Sequence, residues 1–254
     1  MHTPFSVNAT RAFLACTTLA LTACNTDDSD IAENSTPLTI EVKKGEVLQL
    51  IAPQARTDGN SARQAYYDKV FPIAESLGYE RLGQLNVKQK VISDYNPGAF
   101  IFYSWPDEEA EDGLYSRPDW PALKAVRPEA WTELKIYSDT LDQDLTLNFD
   151  PAKQYTVVVA WFDPAHPGDY ERYLSGIENA VTREGGRFIY KMRRPRFEAH
   201  ASSLDAPGQI TFVEWDSNDG FARVQKSDEY KANAKFFNSG LESFEFYWLA
   251  PSID

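Results

Sequence analysis

From Val47 onward, the apolar positions switch between a period of two and a period of 3.6, and they do so twice in the same order. In the first copy, Val47–Ala52 reads as a strand and Ser61–Leu77 as a helix. Tyr66, Val70, Ile73 and Leu77 recur on one helix face, Gly78 ends the run, and Pro72 predicts a kink. Strands near Arg81–Ile92 and at Ala99–Trp105 follow. An acidic, proline-broken helical region covers Asp107–Leu141, and alternating Leu145, Leu147 and Phe149 predict the closing strand. The second copy repeats the order. A valine-rich strand at Tyr155–Phe162 leads into a helix at Asp169–Glu184, with Tyr170, Tyr173, Leu174, Ile177 and Val181 on one face. Strands at Arg187–Arg193 and Gln209–Trp215, a helical stretch at Ser217–Asn238 and a strand alternating Phe244, Phe246 and Trp248 complete it.

Each copy is thus β-α-β-β-α-β, the ferredoxin-like split unit, so the predicted class is α+β with an internal duplication. One such unit covers only one face of its sheet with helices, and a second copy can cover the other. Two units paired sheet to sheet are therefore expected, with a pocket between the sheets or beneath the helices. The first unit spans residues 38–150 and the second 151–254. Ahead of them, Leu38, Ile40 and Val42 alternate, and Lys43-Lys44-Gly45 predicts a turn into a hairpin with Val47–Ile51.

The second copy carries a more specific likeness. Gly185-Gly186-Arg187-Phe188, Val213-Glu214-Trp215-Asp216 and Ser227-Asp228-Glu229-Tyr230 resemble the dimeric α/β-barrel superfamily, in its NIPSNAP-like and antibiotic-biosynthesis-monooxygenase-like branch. The first copy keeps Trp105 and Pro118-Asp119-Trp120. The resemblance implies an intramolecular dimeric α/β barrel. The superfamily includes cofactor-free oxygenases, isomerases and haem proteins, so fold alone does not fix a function.

The N-terminus bears on location. Arg11 is followed by an apolar stretch, Ala12–Ala23, too short to span a bilayer, so residues 1–23 read as a signal peptide. Leu21-Thr22-Ala23-Cys24 resembles the lipobox of bacterial lipoproteins, which implies cleavage before Cys24 and acylation, palmitate included, on that residue. Residues 24–37 are acidic and polar and read as a tether. Asn25 favours the outer membrane by the same resemblance. Cleavage would also remove Cys16, leaving no cysteine pair for a disulfide.

Charge narrows the partners. With 25 Lys+Arg against 38 Asp+Glu the chain carries −13, or 24 − 38 = −14 once Arg11 is gone, which excludes a generic nucleic-acid binder. The membrane, through Cys24, and a small molecule are the expected partners. Arg187–Arg196 (RFIYKMRRPR) runs against that acidity, with five basic residues in ten. It suggests a cationic lining in which Arg187, Tyr190, Arg193 and Arg194, with Trp161 and Trp215, bind an anionic or aromatic molecule. The bland reading pairs those cations with the acidic remainder and puts the tryptophans in the core. No P-loop, nucleophile elbow or His-Glu-x-x-His pattern is present. His200, expected in the connection after the basic strand, is the candidate proton shuttle, and His166 sits in a loop. The acidic run Asp107–Asp112 lacks the ligand order of a calcium loop and reads as a solvated face. No cofactor or metal is expected. A small-molecule-binding envelope lipoprotein ranks first. The alternatives are a cofactor-independent oxygenase or isomerase and an interaction module without a pocket.

Overall fold

The strand Val47–Ala55 (β2) places Leu48, Leu50 and Ala52 on one face and Val47, Gln49 and Ile51 on the other, and both faces are covered. A computed structural model, describing residues 37–252, shows how. After a short strand, Leu38–Val42 (β1), the first unit comprises β2, α1 (Asn60–Ser76), β3 (Glu80–Ile92) and β4 (Ala99–Trp105). Three short helices follow, α2 (Glu108–Tyr115), α3 (Trp120–Lys124) and α4 (Arg127–Ala130), then β5 (Trp131–Thr140) and β6 (Leu145–Phe149). The second unit comprises β7 (Gln154–Phe162), α5 (Asp169–Arg183), β8 (Gly186–Arg193), β9 (Arg196–His200), β10 (Gln209–Trp215), α6 (Gly220–Lys226), α7 (Asp228–Gly240) and β11 (Leu241–Pro251). Pro72 is accommodated within α1, and Gly78 ends the turn after it at φ +87°, where a Cβ would also meet Pro106 at 2.4 Å.

Within each unit the strands lie in the ferredoxin-like order, β3-β4-β2-β5 and β8-β10-β7-β11. The two are joined antiparallel through β11 and β3, and again through β5 and β9. Only Arg194 and Pro195 separate β8 from β9, and Arg194 takes the left-handed conformation at φ 48°. That kink lets one long strand pair first with β10 of its own unit and then with β5 of the other. The sheet closes on itself as an intramolecular dimeric α/β barrel, related by a pseudo-twofold axis, because β3 likewise pairs first with β4 and then with β11.

Three apolar layers follow from this closure. The barrel interior holds residues of both units, among them Phe100, Phe102, Tyr137, Val157, Trp161, Phe212 and Tyr247. Each unit's helices cover its outer sheet face with a layer of its own. Full burial of one such aromatic or aliphatic side chain contributes about 1.5–3 kcal/mol. One buried ion pair crosses the barrel. Lys135 Nζ on β5 lies 2.7 Å from Glu245 Oε1 on β11 and 4.1 Å from the centre of the Tyr95 ring.

Three expectations change. The fourth strand of the first unit is β5, whereas the alternating Leu145–Phe149 segment pairs with β1. The turn at Gly45 therefore does not make a β1–β2 hairpin; β1 and β6 instead pack Ile40, Val42, Leu147 and Phe149 into the barrel core. β5 escaped the pattern because it is buried on both faces and so does not alternate. His200 is not in a connection but ends β9, opposite Leu134.

Candidate functional site

The barrel interior is packed with side chains of both units, and an opening lies outside it. It is a cleft of about 360 Å³ between α2–α3 and the outer face of β5–β9. Both units build it, since β9 comes from the second. Tyr115, Trp120 and Ile136 form its apolar part, and they also border a smaller apolar cavity of about 60 Å³ that runs beneath the helices of the first unit.

At one end of the cleft stands Glu111. Asp107 caps the N-terminus of α2 by accepting from the Ala110 amide at 2.8 Å, and this sets the helix so that Glu111 turns inward. Glu111 is only 2% exposed. Its Oε1 accepts from Gln49 Nε2 at 2.8 Å and from Ser138 Oγ at 2.6 Å, and its Oε2 accepts from Arg196. Gln49 is itself held by the Tyr79 hydroxyl, which donates to its Oε1 at 2.8 Å. Arg196 also reaches Asp112 at 3.3 Å. The expectation of a solvated acidic face over Asp107–Asp112 thus fails at Glu111, which enters a buried network.

At the other end stands Glu198. Its Oε1 accepts from Lys124 Nζ at 3.0 Å and from Arg127 Nη1 at 2.9 Å. Arg127 is 3% exposed; its Nη2 donates to the Tyr66 hydroxyl at 3.0 Å, and its guanidinium lies 5.2 Å from the Trp120 ring centre. Arg127 Nε and Glu198 Oε2 are buried with no hydrogen-bond partner. Burial pushes the Tyr66 hydroxyl pKa up, opposed by Arg127, so Tyr66 stands as a neutral donor and acceptor.

The residues singled out from sequence scatter. Arg187 is exposed and pairs with Glu214 at 3.1 Å; Arg193 pairs with Glu171 at 3.2 Å on the helix side of the second unit. Arg194 is exposed at the kink. Tyr190 faces the barrel and donates to Asp139 at 2.7 Å. Trp161 lies in the barrel core and Trp215 in the helix–sheet layer of the second unit, on opposite faces of the sheet. These six share no cavity. Of the basic segment, Arg196 is the member that lines the cleft. Cys24 lies outside the described residues.

His166 is an exposed loop residue 3.4 Å from Asp163. His200 sits on the same outer face of β9 as Arg196 and Glu198 but does not line the cleft. Burial, then the positive charge of Arg127, hold its pKa below the ordinary 6.5. The unfolded chain therefore takes up this proton first, and folding loses stability as pH falls below about 6.5. His200→Gln should flatten the loss of Tm between about pH 7 and 5.5 relative to the parent; superimposable profiles would refute the assignment. Among the described residues, no group of three or more His, Cys, Asp or Glu is gathered closely enough to hold a metal ion.

No family model matches the sequence, and no curated protein is detectably similar to it. Solved structures do share the architecture. An anthrone oxidase-like protein superimposes with a TM-score of 0.51 at 13% identity, covering 83% of this chain and 94% of that one. A candidate monooxygenase from Fusobacterium nucleatum gives 0.42 at 11% identity, with 84% and 94% covered. A chlorite dismutase from Candidatus Nitrospira defluvii, in complex with imidazole, gives 0.43 at 11% identity, with 83% and 93% covered. At such identities the likeness extends to the fold and not to the chemistry.

Proposed function

We propose that this chain is a lipid-anchored envelope protein that binds a small, charged aromatic molecule where its two units meet. The cleft carries the reading. It has room for one small molecule, an aromatic wall at Trp120 and Tyr115, and charged side chains from both units at its ends. A thermal-shift screen of the full chain in detergent tests it. A panel of aromatic metabolites should contain a stabiliser, and Trp120→Ala should weaken its binding at least tenfold, about the loss of one buried aromatic contact. A panel without a stabiliser defeats the reading. The anchor has its own measurement: Cys24→Ala should move the protein from the membrane fraction, the outer membrane by expectation, to the soluble one. Unchanged fractionation overturns that part.

A second reading is a cofactor-independent oxygenase or isomerase. It is favoured by the unpartnered Arg127 Nε and Glu198 Oε2 beside the cleft. Buried hydrogen-bonding capacity left unused is unusual, and a fixed guanidinium donor is the kind of group that stabilises a developing oxyanion. Glu198 would be the proton acceptor in such a site. Recovery of the bound ligand unchanged after prolonged aerobic incubation rules this out in favour of simple binding.

A further inference from the structure

Charge in the cleft is separated, not mixed. At the Glu198 end, Lys124 and Arg127 both donate to the same carboxylate oxygen, so two cations share one anion and a surplus of +1 remains. At the Glu111 end, Glu111 and Asp112 both engage Arg196, leaving a surplus of −1. One residue at each end is free enough to turn toward a ligand, because the side chains of Lys124 and Asp112 are 38% and 63% exposed. The two ends are close. Arg196 and Glu198 project from the same face of β9, two residues apart, which is about 6.6 Å along a strand.

The wall between them selects further. The Trp120 ring already has Lys124 Nζ at 5.6 Å and the Arg127 guanidinium at 5.2 Å from its centre. A ligand cation laid on that ring would meet two positive charges, so the ring is suited to an uncharged aromatic group instead. Arg127, nine-tenths and more buried, stands behind Glu198 and fixes the positive charge at that end.

The geometry points to an aromatic zwitterion of the α-amino acid class as the occupant. Its carboxylate faces Lys124, its ammonium faces Asp112 and its ring lies against Trp120. This rests on the cleft being the binding site and adds the class of ligand. Three ligands of one shape separate the terms: phenylalanine carries both charges, 3-phenylpropionate only the carboxylate and 2-phenylethylamine only the ammonium.

Titration calorimetry of the full chain in neutral detergent at low salt should give phenylalanine the tightest binding, about tenfold over either analogue, the scale of one charge-assisted hydrogen bond. Lys124→Met should abolish the advantage over the amine, and Asp112→Asn the advantage over the acid. Both positions are at the surface, so neither variant threatens the fold. If either singly charged analogue binds as tightly as phenylalanine, the zwitterion assignment is wrong and the cleft stands. The same holds if none of the three binds while the wider panel yields a Trp120-dependent ligand. If the panel is also silent, the cleft reading falls with it.

Discussion

Replacing Lys135 by Met is expected to cost about 3–5 kcal/mol of stability, and so to lower Tm by roughly 10 °C or more. Lys135 is 1% exposed and its amine lies 2.7 Å from Glu245, with Glu133 at 3.4 Å and the Tyr95 ring beneath it. Removing the cation leaves Glu245, 7% exposed, as a carboxylate with no counter-charge of comparable proximity. Uncompensated burial, and not the worth of the pair itself, supplies the size of the effect. The double variant Lys135→Met, Glu245→Leu should therefore recover most of the loss, since an apolar pair of similar volume removes both desolvation penalties. Urea unfolding of the two variants decides it. A single variant as stable as the parent would mean that Glu245 is solvated or neutral in the native state.

The second large effect concerns the shared core. Phe212, fully buried on β10 of the second unit, packs at 5.7 Å against Phe102 and at 6.4 Å against Phe100 of the first. Phe212→Ala should cost about 3–5 kcal/mol through lost transfer energy and the cavity left behind. Because that cavity opens between the units, the loss should fall on both together. Calorimetry should then show one transition displaced downward. Two resolved transitions would show that each unit folds on its helix–sheet layer alone.

The duplication was legible because the helices and most strands obey simple periods. Tyr170, Tyr173, Leu174, Ile177 and Val181 sit on the buried face of α5, as their spacing requires. β5 was not legible, because Lys135 and Ser138 are buried in it beside Leu134, Ile136 and Tyr137 and break any alternation. β9 was hidden for a related reason. Pro195 and the polar residues Arg196, Glu198 and His200 read as a loop, and only pairing with β5, some sixty positions earlier, makes them a strand.

The cleft was less readable still. Trp120 stood out only as an echo of the second copy, and Glu111 lay in a run of acids with no feature of its own. Nothing around Arg127 signals burial, since its partners Tyr66 and Glu198 are 61 and 71 residues away. The basic segment did contain a cleft residue. It was Arg196, beyond the kink, while Arg187 and Arg193 before it pair with acids of their own unit.

The kink at Arg194 also bears on how the molecule can change. In a barrel made by two identical chains, every substitution appears twice, so a residue suited to one site is imposed on its mirror image. Here the halves are covalently joined and each position is set independently. On the second side, Phe246 of β11 packs against Phe221 and Phe244 against Phe237, whereas β5 on the first side borders the cleft with Ile136 and Ser138. The two halves are thereby free to differ, the second lending β9 with Arg196 and Glu198 to the cleft while its own helix–sheet layer is packed with aromatic rings. Substitutions that reshape the opening fall on α2, α3, β5 and the crossing strand β9, and leave the pseudo-equivalent positions around the other sheet face unchanged.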